Sequence, residues 1–168
     1  MTSTPTATPT SSSTLGLTTV GSTQDSYDAN DLTASQIVTG SQAETVQSLS
    51  AYVGAVGSSP TNQYALAIYT DANGSPGTLL AQSSTGTLKA NSWNTLPVSA
   101  SLSAHTAYWL VYNANGSNGS VNNLYYNTVS GNVGAYSNAA QPFGSWPSSF
   151  GSASVGGWQF SLYATVSP

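Results

Sequence analysis

Cysteine is absent from the 168 residues, so disulfides, thiolate metal sites and cysteine nucleophiles are excluded. Charge is nearly as scarce. Lys89 is the only cation, and the anions are Asp25, Asp28, Asp31, Glu44 and Asp71. Charged residues make up 4% of the chain, where soluble domains carry about 25%. One lysine cannot neutralise a run of phosphates, which argues against nucleic-acid binding. Attachment to anionic lipid fails for the same reason. No run approaches the roughly 20 apolar residues of a membrane-spanning helix, so no membrane insertion is expected. A surface this poor in charge must be covered by Ser, Thr, Asn, Gln and Gly, and the expected ligand is neutral. Such a surface points to a secreted, extracellular protein.

What is present is enough for one domain with its own core: 39% of the residues are hydrophobic. Residues 2–14, TSTPTATPTSSST, are a Thr/Ser/Pro tract that cannot bury apolar surface and is stiffened by its prolines. We read 1–14 as a linker and 15–168 as a β-sandwich module. Met1 then serves as an initiator ahead of a piece covalently linked to other domains of a larger protein.

From Leu15 onward the apolar pattern has period two, broken by turn residues. Strands are predicted at 17–20, 32–39, 47–56, 64–70, 78–82, 85–88, 93–98, 107–113, 122–128, 134–136 and 158–166. Pro97 places its strand at a sheet edge. AYWLVYN (107–113), apolar on both faces, is a central strand. Only 42–48 could hold a single helical turn. Many short strands between Gly/Asn/Ser turns predict an antiparallel two-sheet sandwich of the jelly-roll type.

The runs YALAIYTDANGSPGTLLAQS, WNTLPVSASLSAHTAYWLVYNANG and GGWQFSLYATV carry a resemblance. They are similar to bacterial extracellular β-sandwich domains, carbohydrate-binding-module-like or of the choice-of-anchor type, appended to secreted glycoside hydrolases and surface proteins. The resemblance spans most of 15–166. It implies a jelly-roll fold and an accessory role in carbohydrate binding, and it supplies no binding residues.

Catalytic chemistry has little to work with. His105 is the only histidine, no G-x-S-x-G motif surrounds any serine, and His105 reads as an exposed turn residue. Glycoside hydrolysis needs two opposed carboxylates, yet three of the five acids crowd into Asp25-Ser-Tyr-Asp28-Ala-Asn-Asp31. No phosphate loop is present. A non-enzyme with no cofactor is expected. Calcium is the one metal to weigh, with Asp25, Asp28 and Asp31 as oxygen ligands in a structural site. The alternative is a solvated loop whose carboxylates cap backbone amides. Asp71 and Asn73 are a weaker pair of the same kind, where a plain hairpin turn is favoured.

Four Trp, ten Tyr and three Phe remain. Pyranose rings present apolar C–H faces that stack on aromatic rings, while amides and carboxylates bind the hydroxyls. Trp109 and Trp158 fall on core faces. Trp93 begins a strand, at a rim or in the core. Trp146 lies in the aperiodic stretch QPFGSWPSSF, either as a binding element or in a loop clamped by its own aromatics. Tyr125, Tyr126 and Tyr136 flank this stretch, and Asn138 and Gln141 are the nearest amides. Tyr52 and Tyr69 occupy the polar faces of their strands. The expected ligand site is Trp146, Tyr136, Asn138, Gln141, Tyr126 and Trp93. The expected function is a non-catalytic carbohydrate-binding module that stacks a neutral polysaccharide and targets an attached secreted enzyme. The alternative is a structural or adhesive spacer of a cell-surface protein, its aromatics spent on the core.

Overall fold

A computed structural model of the chain describes residues 11–168. Most of the Thr/Ser/Pro tract lies outside the described residues. Strands run as β1 Ser13–Gly16, β2 Thr23–Gln24, β3 Thr33–Val38, β4 Glu44–Val53, β5 Gln63–Asp71, β6 Pro76–Gln82 and β7 Gly86–Thr87. They continue as β8 Ser92–Leu102, β9 Ala107–Ala114, β10 Tyr125–Thr128, β11 Gly134–Ser137, β12 Ala153–Gly156, β13 Trp158–Phe160 and β14 Leu162–Ser167. Every strand pairing is antiparallel, and no helix occurs among the described residues. The fold is all-β.

A four-stranded sheet has the order β1-β14-β4-β8. A seven-stranded sheet has the order β12-β11-β3-β9-β5-β6, with β7 also on β5. A small third sheet joins β13, β10 and β2. The two larger sheets pack face to face because their inward alternations are apolar. Val46, Leu49, Ala51, Val53, Val98, Leu162, Ala164 and Val166 from one sheet meet Ile37, Leu66, Ile68, Leu110 and Tyr112 from the other. Side chains of Trp158, Phe160, Leu162, Ala164 and Val166 stay on one face although Ser161 separates β13 from β14. Pro97 is on β8, an edge strand, where proline is tolerated.

The seven-stranded sheet buries its other face as well. Leu32, Ala34, Ala67, Tyr69, Trp109, Val111 and Ala135 form a second core under Phe150, with Trp146, Leu79, Ala153 and Val155 packed on it. This explains why β9 reads as apolar on both faces. Trp109 also donates its Nε1–H to Asp71 Oδ1 at 2.8 Å.

Two local expectations are corrected. The first strand is 13–16 rather than 17–20: Leu15 pairs with Ala164 of the closing strand, and a long-range partner overrides local alternation. The stretch 42–48 enters β4 at Glu44 instead of making a helical turn, because Thr45 and Val46 are zipped between β14 and β8.

Candidate functional site

The loop between β2 and β3 folds back on the sandwich and carries Asp25, Tyr27, Asp28 and Asp31. Asp28 is buried at 3% exposure. Its Oδ1 accepts from Thr33 Oγ1 at 2.7 Å and its Oδ2 from the Leu124 N–H at 2.8 Å. The Asp28 N–H in turn donates to Asn123 Oδ1 at 3.1 Å. Asp25 is half-buried, and its Oδ1 accepts from the Ser26 N–H at 2.9 Å. Asp31 Oδ1 accepts from the Leu32 N–H at 2.8 Å and lies close against the Ser137 hydroxyl.

Burial, and then the charge of Asp25, push the Asp28 carboxyl well above the ordinary carboxylate range. Burial raises Asp25 too, against the hydrogen bond from the Ser26 N–H that lowers it. Asp31 is raised by burial against the hydrogen bonds that lower it. Three acids close together, with no cation among their partners, hold protons more tightly than free carboxylates do.

These groups line a pocket of about 300 Å³ together with Ser26, Tyr27, Thr33 and Tyr136. Tyr27 is 75% exposed and takes φ +66°, a left-handed conformation that is uncommon for a bulky residue. Its N–H donates to Gly119 O at 3.1 Å. Its ring lies on Gly119, where a Cβ would stand 2.3 Å from two ring carbons. Tyr136, 41% exposed, reaches the same pocket from β11 with its ring 5.5 Å from that of Trp158. The pocket thus has two exposed aromatic rings and half-buried carboxylates that accept hydrogen bonds. A second cavity, of about 310 Å³, is lined by Val56, Gly57, Ser58, Thr61, Gly116, Ser117, Asn118 and Val121. It has neither an aromatic nor an ionisable side chain.

The sequence-predicted ligand residues do not share one surface. Tyr136 lines the pocket. Trp146 is half-buried on the outer face of the large sheet, 6.4 Å from the Tyr69 ring. Its loop is tied down by Tyr69 Oη donating to Pro147 O at 2.8 Å and by backbone bonds of Leu79 to Ser148 and Phe150 to Gly77. Asn138 bonds Ser152 and Ser154 across the β11–β12 hairpin. Gln141 gives its backbone to Asn30 and Asn113. Tyr126 turns inward onto Phe160, 5.7 Å between ring centres. Trp93 lies on the outer face of the four-stranded sheet, edge-to-face with Tyr52 and with Tyr163.

No group of three or more His, Cys, Asp or Glu side chains that could hold a metal ion is found among the described residues. Both Asp28 oxygens are already taken by protein donors. Asp71 caps its own turn through the Gly74 N–H at 2.9 Å. Burial pulls Asp71 upward, but hydrogen bonds from Gly74, Trp109 and Gln36 outweigh it and hold the carboxyl below its ordinary value. His105 is an exposed turn residue at φ +49°.

Tyr27 is the site residue that sequence reasoning passed over. The signal lay in its setting, a bulky aromatic between two Asp in a loop without core periodicity. No family model and no curated protein matches the chain.

Proposed function

We propose that the domain is a non-catalytic carbohydrate-binding module of jelly-roll type, and that it holds a neutral saccharide in the Tyr27–Tyr136 pocket. The observation that carries the reading is Tyr27. Its backbone sits in a conformation costing about 1–3 kcal/mol, yet its ring is left exposed at the mouth of a pocket. The bond to Gly119 O and the contact of the ring with Gly119 hold that conformation, and the open side of the ring is left for an apolar sugar face. Asp25 and Asp31 accept hydrogen bonds from sugar hydroxyls. Nothing in this role makes or breaks a bond. The strand order that brings β1 and β14 together at one end of a sheet supports the jelly-roll assignment. The scarcity of charge and the Thr/Ser/Pro tract support an extracellular module tethered to a larger protein. There it would keep an attached enzyme near its substrate by raising effective concentration. The spacer reading draws on the Trp146 loop, whose aromatics are packed rather than free.

Retention on insoluble cellulose, chitin, xylan and β-glucan tests the proposal, with Tyr27→Ala, Tyr136→Ala and Trp146→Ala variants alongside. Retention on one polymer is expected, weakened about tenfold by either tyrosine change, the scale of a lost aromatic contact. A folded wild-type domain retained on none of them contradicts the proposal and leaves the spacer. Retention untouched by both tyrosine changes removes the pocket from the account.

A further inference from the structure

The outer face of the four-stranded sheet carries an arrangement that the pocket does not explain. Tyr163 of β14, Trp93 of β8, Tyr52 of β4 and Tyr125 of β10 form a continuous row of ring contacts, the Trp93 side chain meeting Tyr163 across the intervening β4. Their ring centres are 4.9, 5.6 and 5.6 Å apart in that order. Each ring sets an edge against its neighbour's face, and all four are half-buried rather than covered. On the solvent face of an antiparallel sheet polar residues are the rule, and the positions beside the row follow it. Ser50, its hydroxyl 2.7 Å from that of Thr95, is buried beneath the rings, and Thr165 continues the face. No ionisable side chain other than the three phenols stands in the row or at these positions. The row ends where Tyr125 Oη donates to Gln24 Oε1 at 3.4 Å.

We propose that this row is a second binding surface, a lane for a linear, uncharged polysaccharide chain. Neighbouring ring centres are about one pyranose unit apart, so a chain laid on this face meets more than one aromatic group. Sugars with apolar faces and uncharged hydroxyls match a lane of rings bordered by Ser, Thr and Gln. A charged polymer would find no partner there. Cross-strand aromatic pairs also stabilise a sheet, but a pair suffices for that, whereas here the row crosses from one sheet to the next. The lane shares no residue with the pocket and stands whether or not the pocket binds.

The full chain labelled with 5-fluorotryptophan tests the lane, its Trp93 resonance assigned with Trp93→Phe. Cellohexaose, xylohexaose and chitohexaose are the probes. The Trp93 signal is expected to shift with at least one of them while that of the buried Trp109 stays fixed. Trp93→Ala and Tyr52→Ala are expected to weaken that binding about tenfold, and Trp93→Phe by about threefold or less. A Trp93 signal unmoved by all three overturns the lane, and this readout needs no variant to fold. A wild-type dimer that Trp93→Ala turns into a monomer also overturns it, since the face would then be covered by a second copy. A Trp93 signal that still moves in Tyr27→Ala separates the two sites, and one that no longer moves in that variant overturns the lane.

Discussion

Asp28 concentrates the electrostatic strain of the molecule in one residue. A carboxyl raised in the folded state binds its proton more tightly there than in the unfolded chain, whose Asp titrates near about 3.9. Its stabilising contribution is therefore full below that value and is lost as pH rises toward its folded value. Asp25 and Asp31 are raised as well and act in the same direction. Asp71 is lowered, so its opposite contribution lies at more acid pH and does not interfere. The thermal midpoint is expected to fall as pH goes from about 4 toward neutrality, and Asp28→Asn should flatten that slope. An amide can still accept from Leu124 and donate to Thr33. A midpoint that rises over the same range contradicts the assignment. Gly119 offers a second test at this scale. In Gly119→Ala the new methyl first meets the side-chain ring of Tyr27. Stability should change by less than about 1 kcal/mol while saccharide binding weakens, as calorimetric titration beside a thermal melt would report. Unchanged binding would remove Tyr27 from the site.

At the scale of elements, the loop carrying Trp146 acts as a cover for the second core. Tyr69 holds it through one hydrogen bond to Pro147 and an edge-to-face contact with Phe150 at 5.5 Å. Tyr69→Phe keeps the ring and loses the bond. It should cost about 1 kcal/mol in denaturant unfolding and speed amide exchange at Leu79 and Phe150, whose N–H groups bind across this seam. Exchange and stability equal to the wild type would mean that packing alone holds the loop. The central strand 107–113 and the edge strand at Pro97 were legible in the sequence because alternation and proline chemistry are local. Strand β1 was not, since it exists through its pairing with β14, and β12 was not, since only β11 across the hairpin orders it.

For the whole molecule, period-two alternation between turn residues already pointed to an all-β domain, and composition to a surface poor in charge. Which aromatics stay exposed was not readable, because that depends on which sheet face another segment covers. Trp146 lies in an aperiodic loop yet folds onto Tyr69, and Tyr126 follows Tyr125 but turns inward to Phe160. The row of Tyr163, Trp93 and Tyr52 required the register of β4 against β8 and β14, which places Tyr52 opposite Trp93. The pocket required knowing that Gly119 lies beneath Tyr27, a contact between residues far apart in the chain. Saccharide binding in that pocket is tested by a ¹⁵N–¹H correlation spectrum of the wild-type domain titrated with cellohexaose, xylohexaose and chitohexaose. One of them is expected to move the amides of Ser26, Tyr27, Gly119 and Tyr136 in a saturable way. Spectra unchanged by all three, or shifts confined to residues 142–150, would contradict it.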